Sequence, residues 1–165
     1  MKKPLIVCFA MLAATALADG TLAGSYGKGS AGSADGRTAT FDYAETKRTA
    51  SNGVRKFEGK LRFEQKQNDH GRYVLIEMGA ADSLGVSGNV CEFGGRGRLI
   101  ILVNRKPVGY NGRAYVRVVD RRNAEHPNLD ADLFRIRFVG EKDLKFEFEG
   151  LVREGDLKVA VQNVK

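Results

Sequence analysis

The chain has 165 residues, with 27 Lys and Arg, 20 Asp and Glu, a formal net charge of +7, two cysteines and no tryptophan. Its length suits one domain, and a hydrophobic content of 42% supports a buried core, which excludes a chain disordered throughout. Two cysteines exclude a disulfide-stapled mini-protein and a four-cysteine zinc or iron–sulfur site.

Residues 1–18 have the pattern of a signal peptide. Lys2 and Lys3 give a cationic start, residues 4–18 carry no charge, and Ala-Leu-Ala at 16–18 is a small-x-small cleavage sequence. The uncharged run of about 15 residues is short of the roughly 20 that span a membrane. The pattern therefore predicts export, to the periplasm or beyond the cell, with no transmembrane span after cleavage. The alternative is a buried N-terminal helix.

Cleavage would lower the net charge by two and leave Cys91 as the only cysteine, so no internal disulfide is expected. Cys91 lies in an alternating stretch, which predicts a buried, inert thiol, with a nucleophile or an intermolecular bridge as alternatives. Residues 19–36 are rich in Gly, Ser and Ala, and this composition predicts a flexible Gly/Ser-rich leader. A single β-domain is expected over residues 37–165.

From residue 37 onward, apolar and charged residues alternate with a period of two, which is typical of strands with one buried and one solvated face. The pattern predicts an all-β fold, an antiparallel barrel or sandwich of about 8–10 strands. Turns are expected at 51–53, 68–71, 111–112, 140–143 and 153–156, where Gly, Asn and Asp cluster. The runs centre on Phe57, Leu61 and Phe63; Leu99 and Ile101; Phe134, Ile136 and Phe138; Phe146 and Phe148; and Leu157 and Val159.

The order of several short motifs resembles a known family. Val-Ser-Gly-Asn at 86–89 and Gly-Arg-Gly-Arg-Leu at 95–99 precede a strand ending in Val-Val-Asp at 118–120. Asp-Leu-Phe-Arg-Ile at 132–136 and a final strand at 157–161 follow. This arrangement resembles the post-COAP type of bacterial secreted β-domain.

The resemblance spans residues 31–162 and implies an exported or surface-attached β-domain. It implies no catalytic residues. The chain departs from the family at residues 121–128, where the family has a Gly-rich turn, so a function tied to that loop is not carried over.

An acidic loop is the candidate metal site. A hard cation such as calcium takes six to eight oxygen ligands, and Asn-x-Asp-x-Asp at 128–132 is similar to the start of a calcium loop. The glycine at position six and the glutamate at position twelve are missing, so the alternative is a solvated turn without metal, whose Asp and Asn side chains cap the hairpin. The candidate ligands are Asp120, Glu125, Asp130 and Asp132, with Asn123 and Asn128.

Positive charge is concentrated in residues 94–137, which hold ten basic and four acidic residues. Arginines at two-residue spacing share one face of a strand, so adjacent strands would form a basic face that attracts anions. The alternative is an ordinary solvated face of mixed Arg and Glu, since exposed strand faces are commonly charged. Expected partners are an anionic polysaccharide, lipopolysaccharide or an acidic envelope protein, whereas export argues against nucleic acid as a physiological partner. The candidate face comprises Arg96, Arg98, Arg113, Arg117, Arg135 and Arg137.

Together these features predict an exported, non-catalytic accessory, structural or binding module in the cell envelope or outside the cell, without a resident cofactor. One alternative is a small-molecule-binding barrel of lipocalin style, whose open interior would be lined by Phe57, Phe63, Phe134 and Phe146. Another is a metal-assisted hydrolase that uses Asp120, His126, Asp130 and Asp132.

Overall fold

The fold is a closed barrel of eight antiparallel strands with one extra strand, which confirms the barrel form of the predicted all-β fold. The computed structural model describes residues 20–66, 73–121 and 131–164. The predicted signal peptide, the expected turn at 68–71, and Glu125, His126 and Asp130 lie outside these ranges. The strands are β1 (Gly20–Gly32), β2 (Thr38–Ala50), β3 (Arg55–Gln65), β4 (Val74–Met78), β5 (Ser83–Ser87), β6 (Val90–Val103), β7 (Lys106–Val119), β8 (Leu133–Gly140) and β9 (Lys145–Val164), with a short 3-10 helix at Glu141–Asp143.

Each strand pairs with its sequence neighbour around most of the barrel, and β9 closes the circle by pairing with β1. The exception is β6, whose first half pairs with β5 and whose second half pairs with β4. Therefore β4 and β5 act as two halves of one interrupted strand, with residues 79–82 between them. Since β5 does not continue the pairing onto β3, residues 55–60 of β3 are paired only with β2. We call the gap between these residues and β5 the seam.

The prediction of a flexible leader is wrong for residues 20–32, which form β1 and pair with both β2 and β9. The small residues of this segment make room for larger neighbours rather than loosening the chain. A Cβ at Gly27 would lie 2.9 Å from the Tyr43 ring and 2.8 Å from the Leu157 side chain. Composition alone therefore suggested a linker where tight packing requires small side chains.

Two of the expected turns are also wrong. Residues 111 and 112 lie inside β7, and the hairpin between β6 and β7 turns instead at Asn104 and Arg105, with φ of 51° and 62°. Residues 153–156 lie inside β9, where the pairing with β1 shifts register by one residue in a β-bulge. The expected turns at 51–53 and 140–143 are confirmed, since they connect β2 to β3 and β8 to β9.

The centre of the barrel is filled by aromatic rings. Phe134 stacks on Phe41 with ring centroids 4.6 Å apart, and it lies parallel to Phe63 at 6.0 Å. Phe63 also contacts Phe148 at 5.3 Å. All four of these residues are buried. The open interior expected for a lipocalin-style barrel is therefore wrong at Phe63 and Phe134, where rings occupy the space. We call this set of four rings the aromatic core.

Candidate functional site

The six candidate arginines lie on the outer face of three adjacent strands. Register places Arg96 beside Arg113, and Arg117 beside Arg135, across the β6–β7 and β7–β8 pairs. Alternation explains their direction, because the residues between them, such as Val116 and Ile136, point into the core. The structure thus places all six arginines on the outer face, and a basic, anion-binding character of that face stays a prediction.

Carboxylates lie between the arginines on the same face. Arg113 donates two hydrogen bonds to Asp82, at 2.8 Å and 2.5 Å, and this contact holds the pKa of Asp82 below its usual value. Arg117 donates to Glu92 at 2.9 Å. Arg135 lies 3.4 Å from Glu147 and 3.6 Å from Glu149. The register of β8 and β9 places Arg135 directly opposite Glu149. The face is therefore a ladder of mixed charge rather than a purely cationic surface.

Tyr115 occupies the middle of this ladder. Two guanidinium groups lie over its ring, that of Arg137 5.0 Å and that of Arg113 5.7 Å from the ring centroid. The ring lies beside Gly94, where an added Cβ would be 3.3 Å from it. Cation–π contacts of this kind fix the guanidinium planes over an aromatic surface. Among the described residues Arg137 has no carboxylate within ion-pair distance.

A groove of about 710 Å³ runs over this face and reaches the seam, and we call it the outer groove. From the seam, β2 and β3 contribute Lys47, Arg55 and Phe57, while Leu84 and Gly85 of β5 lie across from them. Lys47 donates from Nζ to the Leu84 carbonyl at 2.8 Å and so bridges the gap. The charged lining residues are Lys47, Arg55, Arg117, Arg135 and Arg137 against Asp82, Glu92 and Glu147.

Three of the six candidate arginines thus line the outer groove, and the other three do not. Arg113 lies beside it through Asp82 and Tyr115. Arg96 is exposed, and its charge adds to that of Arg113 in lowering the pKa of Asp82. Arg98 packs its guanidinium against Gly109, where an added Cβ would lie 2.4 Å from Nε. Sequence spacing identified the face but not Lys47 and Arg55, because only the tertiary fold brings β2 and β3 to this groove.

The described part of the acidic loop forms a structural contact rather than an exposed ligand set. Asp120 and Asp132 are both buried. Asp120 Oδ2 accepts the Val159 N–H at 3.3 Å, and Asp132 Oδ1 accepts the Arg121 N–H at 2.9 Å. Burial raises the pKa of Asp120 against the opposing effect of Lys158, whose Nζ lies 3.9 Å from Oδ1.

Within the described ranges, no three His, Cys, Asp or Glu side chains come together as a metal site would require. The predicted calcium ligands Glu125 and Asp130, and the hydrolase candidate His126, lie outside those ranges. The solvated turn expected as the alternative is wrong for Asp120 and Asp132, since both side chains are buried and accept backbone N–H groups.

The prediction of a buried thiol at Cys91 is confirmed, and burial raises its pKa to about 12. Sequence reasoning missed the buried carboxyl of Glu45, although a signal was present: Phe41, Tyr43 and Glu45 alternate along the inward face of β2. Glu45 Oε2 accepts the Ala81 N–H at 3.0 Å, while Oε1 has no partner among the described residues. Desolvation raises the pKa of Glu45 to about 7.

Glu45 lies across from Gly59, where an added Cβ would be 2.3 Å from Oε2. Gly59 therefore makes room for the Glu45 carboxyl group, which accepts the Ala81 N–H in the segment between β4 and β5. This contact stabilises the inner side of the seam.

No family model, curated protein or solved structure with which the chain was compared matches it. Within the described ranges, no helix has the length and apolar character needed to cross a membrane.

Proposed function

We propose that the chain is an exported, non-catalytic binding module whose outer groove takes an acidic polysaccharide. The observation that carries this proposal is the convergence of Arg117, Arg135 and Arg137 with Lys47 and Arg55 on one groove. Three of these five cations, Lys47, Arg55 and Arg137, have no ion-pair partner among the described residues, and Lys47 donates instead to a backbone carbonyl.

The carboxylates in the groove do not prevent anion binding. The pairs Arg117–Glu92 and Arg135–Glu147 are about half exposed. Exposed ion pairs contribute about 0–1 kcal/mol each to stability. A polysaccharide with several anionic groups can therefore displace these carboxylates from the arginines at low cost. Binding of this kind depends on charge and is expected to weaken as salt rises.

Tyr115 and the open strip beside it favour a polysaccharide over an isolated small anion. An added Cβ at Gly85 would meet no atom within 4 Å, so the groove floor is open there. The Tyr115 ring is 38% exposed in this groove and offers an apolar surface for a sugar ring, and the arginines offer donors for its acidic groups.

Titration with a fluorescein-labelled heparin oligosaccharide tests the proposal. We expect saturable binding by the wild type, and an affinity loss of at least tenfold in the double variant Arg55→Glu, Arg137→Glu. The matched control is Lys60→Glu, Lys106→Glu, which makes the same change in net charge at two exposed sites outside the groove.

Equal losses in the two double variants would show that only net charge matters, and that result would overturn the assignment to the groove. Absence of heparin binding at low salt would overturn the polysaccharide proposal altogether. Circular dichroism of each variant establishes that it is folded.

A further inference from the structure

A second cavity lies at the end of the barrel where the β6–β7 and β8–β9 turns meet, and we call it the barrel mouth. It encloses about 500 Å³, within the usual range of small-molecule sites. The outer groove shares no lining residue with it. Its lining residues are Val74, Leu99, Ile101, Leu102, Val103, Asn104, Leu144, Lys145 and Phe146.

Apolar side chains dominate the lining of the barrel mouth. Leu99 and Val74 are buried, whereas Leu102 and Val103 remain 40% and 43% exposed. Leaving such side chains in water costs about 25 cal/mol per Å² of apolar surface, which a bound apolar group would recover. Exposed apolar residues beside a concave apolar surface are typical of a ligand site.

The barrel mouth borders the aromatic core through Phe146. Phe146 lines the cavity and contacts Phe63 at a centroid distance of 5.7 Å. Because Phe63 belongs to the packed centre, a ligand is held in the mouth and does not enter the barrel as it would in an open lipocalin-style interior.

The rim of the barrel mouth contains unusual backbone. Three non-glycine residues in the described part of the chain have positive φ: Asn104 at 51°, Arg105 at 62° and Asp143 at 58°. All three lie in the two turns that border the mouth. The two-residue hairpin between β6 and β7 requires positive φ at both Asn104 and Arg105, so this backbone sets the shape of the rim.

Lys145 is the only charged residue of the lining, and among the described residues it has no ion-pair partner. We propose that the barrel mouth binds a small amphiphile with an apolar chain and an anionic head group. The apolar chain of the amphiphile lies against Ile101 and Phe146, and its head group lies at the rim beside the ammonium group of Lys145. This site is independent of the polysaccharide proposal.

The test uses the absence of tryptophan from the sequence. Phe146→Trp places one reporter in the barrel mouth, and Phe57→Trp places one in the outer groove. Decanoate is titrated below its micellar concentration, with decanol as the neutral probe. We expect a saturable fluorescence change from the mouth reporter only, and at least tenfold weaker binding of decanoate when Lys145→Glu is added.

The control substitution is Lys60→Glu in the same reporter background, which is expected to change the affinity less than twofold. If a reporter variant does not fold, isothermal titration calorimetry with decanoate compares the wild type with Lys145→Glu and Lys60→Glu, both without a reporter. The proposal is overturned if the wild type takes up no decanoate, if the groove reporter responds instead, or if the Lys145 and Lys60 variants bind equally. Equal binding of decanol and decanoate would overturn the role of Lys145.

Discussion

The aromatic core and the seam bury their side chains in different ways. In the core, where neighbouring strands pair around the full circle, Phe41, Phe63, Phe134 and Phe148 fill the space with rings. At the seam, where β3 and β5 are not paired, polar groups fill it. Glu45 binds the Ala81 N–H and Lys47 binds the Leu84 carbonyl.

The difference shows what an interrupted barrel requires. A closed ladder satisfies its own backbone groups, so its interior can be apolar. An interruption leaves backbone donors and acceptors that side chains must satisfy. Burying a carboxyl group for this purpose costs free energy, which the raised pKa of Glu45 records. The seam is therefore expected to respond to pH, and the aromatic core to changes of volume.

The largest expected effect is at the centre of the aromatic core. Phe134→Ala removes a fully buried ring that contacts Phe41, Phe63 and Tyr43. Loss of a buried phenylalanine costs about 3–5 kcal/mol, because the cavity is only partly refilled. Urea denaturation followed by circular dichroism measures the free energy of unfolding. Phe134→Leu provides a milder variant in case the alanine variant is unfolded.

The matched control for the core is Val161→Ala on β9, where the side chain is 56% exposed. Its effect is expected to lie within about 0.5 kcal/mol of zero. A loss below about 1 kcal/mol for Phe134→Ala would mean that ring packing does not distinguish the core from the rest of the barrel.

The next effect is at the seam and depends on pH. The pKa of Glu45 rises from 4.5 in the unfolded chain to about 7 in the fold. The folded state keeps its proton while the unfolded state loses it, so the contribution to stability is full below pH 4.5 and is lost as pH rises to about 7. A shift of this size corresponds to roughly 3 kcal/mol.

Glu45→Gln removes this titration and keeps an oxygen that can accept the Ala81 N–H. We expect the variant to gain stability relative to the wild type between pH 5 and pH 8, by up to roughly 3 kcal/mol. Urea denaturation at the two pH values measures the change, and Glu154→Gln, an exposed carboxylate on β9, is the control. A difference between variant and wild type that does not vary with pH would contradict the assignment of Glu45 as a buried titrating group.

Much of the barrel could be predicted from the sequence, because alternation reports which face of a strand is buried. Phe134, Ile136 and Phe138 are buried as their spacing indicates. Glycine was the misleading residue. In β1 and at Gly112 it marks close packing instead of a linker or a turn: a Cβ at Gly112 would lie 2.7 Å from the Phe138 ring.

The candidate site was predictable only in part, for a related reason. Spacing along β6, β7 and β8 places their arginines on one face, since strand geometry is local. The contributions of Lys47 and Arg55 depend on where β2 and β3 approach the unpaired edge of β5. The residue pattern of a single strand does not predict which distant strand lies beside it. The seam itself arises because β6 pairs with two short strands, which a single sequence does not reveal.

The smallest expected effect tests whether one polar contact at the seam contributes to stability. Lys47→Met keeps the apolar stem of the side chain but removes the ammonium group that binds the Leu84 carbonyl. Because Lys47 is partly exposed, we expect a loss of about 1 kcal/mol, in the range of a single hydrogen bond. The control is Lys60→Met on the adjacent strand β3, an exposed side chain expected to change stability by less than about 0.5 kcal/mol. Chemical denaturation at pH 7 gives both values. If the two substitutions have the same effect, the bridge across the seam adds nothing, and Glu45 alone would distinguish the seam from the aromatic core.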